Sequence, residues 1–168
     1  MKNYFFLVLL VLAIFFNCKN TDKNISESII TKEFTDFNQI EPLLNYNKVS
    51  DTVLYGNRNF PGFGILHLQK ENGDLILFNK ITLDSFQNRT YTILDTLAIQ
   101  NLKQNEFITI GYCEFENEQN ENLIAIVDKT DSISIEHINA AWQVNTVTQK
   151  IESITDLSSI KCVNELND

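Results

Sequence analysis

Arginine is nearly absent from this chain. Only Arg58 and Arg89 occur, and thirteen lysines and arginines stand against twenty-two acids, for a formal net charge of −9. Phosphate backbones are bound through clustered lysine and arginine, so nucleic acid is excluded as a partner class. Histidine is as scarce: His67 and His137 are the only two, and no His-Glu-x-x-His spacing exists. The three cysteines include no Cys-x-x-Cys, which removes a compact zinc motif. There is no Gly-x-Ser-x-Gly, and Gly62-Phe63-Gly64 is too short to match a phosphate-cradling loop. These absences weigh against a motif-borne catalyst and point to no cofactor and no metal. Carboxylate pairs distant in sequence stay open, because only a fold can bring them together.

A membrane-spanning helix is also missing. Tyr4 to Phe16 is an unbroken apolar run, but it falls short of the roughly 20 residues a span needs. With Lys2 ahead of it, the run fits the hydrophobic region of a secretory signal. No pair of small residues follows for an ordinary signal cut. A cysteine follows instead, in Ile14-Phe15-Phe16-Asn17-Cys18.

That arrangement resembles the lipobox of bacterial lipoproteins, in a variant of the Bacteroidota-like kind. Asn17 and Phe16 stand where small residues are usual, and Phe15 replaces a common leucine. The resemblance covers residues 1–18 only. It implies that the Cys18 thiol takes a diacylglycerol, that the chain is cut just before it, and that the new amino end is acylated. Several chains together hold a protein firmly, since each buried methylene contributes about 0.8 kcal/mol. The implied organisation is a signal peptide over 1–17, a lipidated tether over 18–33, and one domain over 34–168. The implied address is the cell envelope, with the membrane as a partner through the lipid. Lys19 stands where an aspartate marks inner-membrane retention in enterobacteria, so the outer membrane is favoured over the inner.

Removing residues 1–17 takes away one lysine and no acid, which lowers the formal charge from −9 to −10. The remainder is long enough for one domain with a real core. Cys113 and Cys162 are then the only other cysteines. In an oxidising compartment they can form a disulfide, whose closed loop would stabilise by about 4 kcal/mol. Two buried free thiols are the alternative.

Residues 19–33 are polar and read as a flexible tether. Phe34, Phe37, Ile40, Leu43 and Leu44 recur at helical spacing, interrupted by Pro42. Val49–Tyr55 reads as a first strand and Gly56–Gly64 as a loop, and from there the pattern is mainly β. Asn72-Gly73 between apolar runs predicts a hairpin with Leu68 opposite Leu77 and His67 opposite Phe78. Tyr91–Ile99 reads as a strand broken near Asp95. Glu106–Phe115 and Asn122–Asp128 read as an antiparallel pair. A helix is expected from Asp131 or Ser132 to Ala141, with Ile135, Ile138 and Trp142 on one face. A strand through Ile133, Ile135 and His137 competes with it. Gln143–Asn145 with Lys150–Ile154 reads as a last hairpin, and Ile160–Val163 as a docking C-terminal segment. The expected fold is a single α+β domain: an antiparallel sheet of about five to seven strands with one or two helices.

The candidate sites are few. Tyr55, Arg58, Phe60 and Phe63 decorate a Gly/Pro loop that could take a glycan or peptide, although aromatics usually serve burial first. His67 could be a base or a ligand, or a strand residue stacked on Phe78. Glu114, Glu116, Glu118 and Glu121 crowd one stretch, which fits a solvated turn or protected strand edge better than a calcium loop. The expected function is a lipid-anchored, non-catalytic binding or accessory module with a protein, glycan or small-ligand partner. The alternatives are an immunity or inhibitor-type lipoprotein using an acidic face, and a small envelope hydrolase built around a histidine.

Overall fold

The computed structural model describes residues 21–54, 62–71 and 73–165. Among the described residues strand accounts for 58% and helix for 9%; the single domain of antiparallel sheet is as expected, but with less helix than the α+β reading implied, so the fold is mainly β. The single helix among the described residues, α1 (Thr21–Ile29), comes first. It forms where a flexible tether was expected. Ile29 is fully buried and Ile25 packs beside it, one turn apart on the same face.

Strand β1 (Glu33–Phe34) follows, then two single-turn 3-10 segments at Phe37–Gln39 and Glu41–Leu43. The helical spacing of Phe37, Ile40 and Leu43 is thus broken in two. Asp36 caps the first turn by accepting from the Asn38 N–H, and Pro42 stands at the start of the second. The strands continue as β2 (Asn47–Leu54), β3 (Phe63–Lys70), β4 (Gly73–Leu83), β5 (Arg89–Gln100), β6 (Glu106–Ile110), β7 (Cys113–Phe115), β8 (Glu118–Asn120) and β9 (Leu123–Asp128). Last come β10 (Ser134–Ile135), β11 (Ile138–Asn145), β12 (Lys150–Ile154) and β13 (Ile160–Val163). They form three antiparallel sheets, ordered β1-β5-β4-β3-β2, β12-β11-β9-β6 and β10-β13-β7-β8.

The sheets stack, and strand alternation explains how. In β9, Ile124 and Ile126 join one core while Leu123, Ala125 and Val127 join another. The first core also takes Ile65, Ile76 and Phe78 from the five-stranded sheet, so that sheet packs on the β9 sheet as a sandwich. The second core takes Cys113, Ile135, Ile160 and Cys162 from the third sheet. On the outer face of the five-stranded sheet, Leu66, Leu68, Leu75 and Leu77 pack under α1, β1 and the 3-10 turns. Both middle sheets are buried on both faces, which is why β3, β4 and β9 read as almost continuous apolar runs.

The 131–141 helix is not present. Its residues form β10 and the start of β11, and Trp142 lies half-buried between the two middle sheets rather than under a helix. The helix-like spacing has a local cause. A bulge between Ile138 and Ala140 resets the alternation, so Ile138 and Ala141 both face the third sheet although three residues apart. The 106–115 segment is split at Gly111, whose φ of +80° turns the chain from β6 into β7. The expected disulfide is present: Cys113 and Cys162 lie directly opposite on β7 and β13 and are bonded.

Candidate functional site

The two sides of the sandwich differ. On one side, Asp95 of β5 accepts from the Ile151 N–H of β12 at 2.9 Å and pairs with Lys150 at 3.6 Å, which ties the sheets together. On the other side, the edge strands β2 and β6 face each other across a cleft of about 1030 Å³. The β5–β6 connection, carrying Asn101 to Gln104, contributes to its wall, and so does Glu165 just after β13.

His67 lines this cleft. It shares the inward face of β3 with Ile65 and is only 5% exposed. Its Nε2 lies 2.8 Å from Oδ1 of Asp74, which is equally buried. Asp74 comes from the start of β4, on the same face as Ile76 and Phe78. The same Oδ1 accepts from Gln69 Nε2 at 3.2 Å. An ionised carboxylate only accepts, so the proton in this contact sits on Nε2 and is donated to Asp74.

Other charges surround the pair. Glu106 is 7% exposed; it accepts from Lys103 Nζ at 2.7 Å and from the Lys103 N–H at 3.0 Å. These bonds hold its carboxyl below the usual glutamate range. Lys129 donates to the Gln104 carbonyl at 2.9 Å. Burial pushes Glu165 up, while the Thr109 hydroxyl and the His67 imidazole beside it pull the other way. Among the described residues no lysine or arginine stands within ion-pair distance of Glu165.

The sequence-read candidates fall out as follows. Cys18, Tyr55, Arg58 and Phe60 lie outside the described residues. Phe63 sits in β3, half-buried, with its ring 5.5 Å from that of Phe78, so it serves the core. His67 is not stacked on Phe78. The hairpin closes one residue earlier than Asn72-Gly73 suggested, with Lys70 opposite Gly73 and Glu71 at φ 48°. His67 therefore faces Ile76, and Phe78 faces Ile65. His137 is a separate, exposed residue paired with Asp128 at 3.0 Å. Glu114, Glu116, Glu118 and Glu121 are all exposed on and beside the β7–β8 hairpin. Glu116 and Asn117, both at positive φ, make its two-residue turn.

Asp74, Glu106 and Glu165 were not singled out from the sequence. Asp74 carried one usable signal: an acid opening the otherwise apolar run Leu75–Phe78. Glu165 carried none. A smaller concavity of about 570 Å³ lies between α1 and β5; its charges are Glu27 and the already paired Asp95 and Lys150. Among the described residues no group of three His, Cys, Asp or Glu could hold a metal ion. Comparison with known protein families, with curated proteins and with solved structures finds no match to this chain.

Proposed function

We propose that this is an envelope lipoprotein, anchored through Cys18 at the outer membrane, whose β domain is a non-catalytic binding module with its ligand seat in the β2/β6 cleft. The address rests on the resemblance of residues 1–18 to a lipobox, and a disulfide-bonded domain suits an oxidising compartment. The observation that carries the binding role is the buried His67–Asp74 pair in the wall of a large cleft. Buried polar pairs cost desolvation, and one set in the wall of a cavity beside apolar side chains is the kind of polar group that orients a ligand. The anchor is tested by intact mass of the membrane-extracted protein beside Cys18→Ala. Loss of residues 1–17 with gain of acyl chains, absent in the variant, is expected; an unmodified mass would refute it.

A second reading has one specific observation behind it. Ser50 on β2 is directly opposite His67, and Asp74 on β4, two residues out of register, bonds the His67 ring, so the three residues lie on neighbouring strands that line the cleft. A small hydrolase could use such a set as nucleophile, base and orienting acid. Covalent labelling of Ser50 by a fluorophosphonate, lost in His67→Ala, would establish it. An unlabelled serine removes it.

A further inference from the structure

The helix that stands where a tether was expected shortens the link to the membrane. Only Lys19 and Asn20 separate Cys18 from the start of α1 at Thr21. Those three residue steps reach about 10 Å at full extension. Unwinding α1 to lengthen the link would expose core. Ile29 is fully buried and Ile25 packs on the same cluster. Just after α1 the chain is bonded to β5, with the Thr31 N–H on the Ile93 carbonyl at 2.8 Å and the Ile93 N–H on the Lys32 carbonyl at 3.0 Å. The helix lies at one side of the stack. It packs on β5, and β5 and β2 stand toward opposite edges of the five-stranded sheet, as β12 and β6 do in the next sheet. On this side Ser26 and Glu27 of α1, Leu97 of β5 and Lys150 of β12 border one concavity. Lys150 ends the β11–β12 ladder, and Val147 at that hairpin's tip is 91% exposed, the most exposed large apolar side chain among the described residues. The Asn145 carboxamide oxygen accepts from the Val147 and Thr148 N–H groups, which fixes the tip.

We propose that the short link seats the β5/β12 side on the phospholipid surface that holds Cys18, with Val147 entering the headgroup layer and the β2/β6 cleft turned away from the membrane. The inference rests on lipidation of Cys18 and goes beyond it to the side of the domain that meets the lipid. A lone exposed valine is ordinary on a surface. This one stands on the anchored side, within one turn of a hairpin whose Lys150 borders the same concavity as α1. Other faces fit worse. The cleft lies across the sheet, three strand spacings or about 15 Å from β5. The outer face of the third sheet lies two sheet spacings, about 20 Å, beyond the five-stranded sheet that carries α1. On the helix-and-turn cover, exposed Glu27, Glu33, Asp36 and Glu41 outnumber exposed Lys32, and phospholipid phosphates repel them. On the β5/β12 side Asp95 and Lys150 pair with each other, and Glu152 is bonded by Asn145 and Thr148. The acyl chains supply the affinity, and the protein contact sets the orientation.

The test uses the full lipidated protein in vesicles of phosphatidylethanolamine and phosphatidylglycerol. Val147, Leu44, Val49 and Val163 are exposed on the hairpin tip, the cover, the cleft and the third sheet. Each is replaced in turn by photoreactive benzoylphenylalanine, and after irradiation the intact mass reads phospholipid adducts. Adduct at Val147 and none at Val49 or Val163 is expected. An insertion of about 15 Gly/Ser residues between Asn20 and Thr21 frees the domain by about 20 Å and should abolish the Val147 adduct. Adduct at Leu44 in place of Val147 overturns the proposal in favour of the cover. Equal adducts at all four positions, or none at any, overturn it as well. So does a Val147 adduct that survives the insertion, because the link then does not set the seat. Lipidation is read from the same spectra. A protein without acyl chains sinks the anchor and the seat together, whereas an acylated protein without the Val147 adduct keeps the anchor and removes the seat alone.

Discussion

The His67–Asp74 bond is the residue-scale feature with the largest consequence. Both partners are 5% exposed, so neither can fall back on water when the other is removed. Asp74→Ala strands the Nε2–H of His67, while the exposed Gln69 amide can turn to water. A loss of about 2–3 kcal/mol is expected, read as a lowered midpoint in urea with little change in slope. Asp74→Asn keeps an acceptor and should cost less. Glu165 predicts an effect of opposite sign. Its folded pKa is raised by burial, so the native state binds its proton more tightly than the unfolded chain. The associated stability is present below the ordinary glutamate pKa and is lost as pH rises through the raised folded value. Glu165→Gln should therefore melt higher than wild type near neutral pH, with the gap closing in acid. A thermal melt series across pH checks it; a variant less stable at pH 7 would refute the burial argument.

At the scale of elements, hairpins were the most legible feature. β11 and β12 pair as read, with Asn145 opposite Lys150 and the Asn145 side chain accepting from Val147 and Thr148 in the turn. β6 and β9 pair as read too, from Glu106 opposite Asp128 to Ile110 opposite Ile124. The expected break near Asp95 is a bulge, because Phe78 faces Asp95 while Asn79 faces Ile93. Misreadings came where tertiary partners override local pattern. The first helix escaped notice because only Ile25, Ile29 and Ile30 carry its apolar face, too few to stand out in a polar stretch. Ile29→Ala should cost about 2–4 kcal/mol if that helix is part of the core, and almost nothing if it is a loose tether. The disulfide joins residues 49 apart on neighbouring strands β7 and β13. Replacing both cysteines by alanine is expected to cost about 4 kcal/mol in the chain-entropy account, measured by denaturation of the double variant.

Taken whole, the molecule is a stack: a helix-and-turn cover, a five-stranded sheet, a four-stranded sheet and a second four-stranded sheet. The sandwich between the first two sheets is fastened on the β5/β12 side and open on the β2/β6 side, and this asymmetry creates the candidate site. Acid should weaken the stack in a definite window. Asp84, Glu106, Glu152 and Asp156 all have lowered pKa values, set first by side-chain hydrogen bonds from Asn88, Lys103, Thr148 and Ser158. Their contribution is complete above the ordinary carboxylate range and disappears as pH falls through the lowered folded values. Melting temperature should thus fall steadily below about pH 4, and less so in Glu106→Gln, which has already lost one of these groups.

The sequence by itself determined the apolar run ahead of Cys18, the mainly β pattern from Ile65 onward, several strand pairings, and the cysteine pair as a disulfide candidate. These are local properties, set by hydrophobic period, turn chemistry and residue identity. Only the tertiary structure decided that three sheets stack, that the 131–141 segment holds strands and no helix, and that His67 is opposite Ile76 and bonded to Asp74 rather than opposite Phe78. The reason is geometric. Side chains alternate with period two, so the register of the β3–β4 hairpin decides which residue His67 meets. The assembly of the cleft from β2, β6, the 101–104 connection and Glu165 joins residues more than one hundred positions apart, and no local pattern encodes that approach.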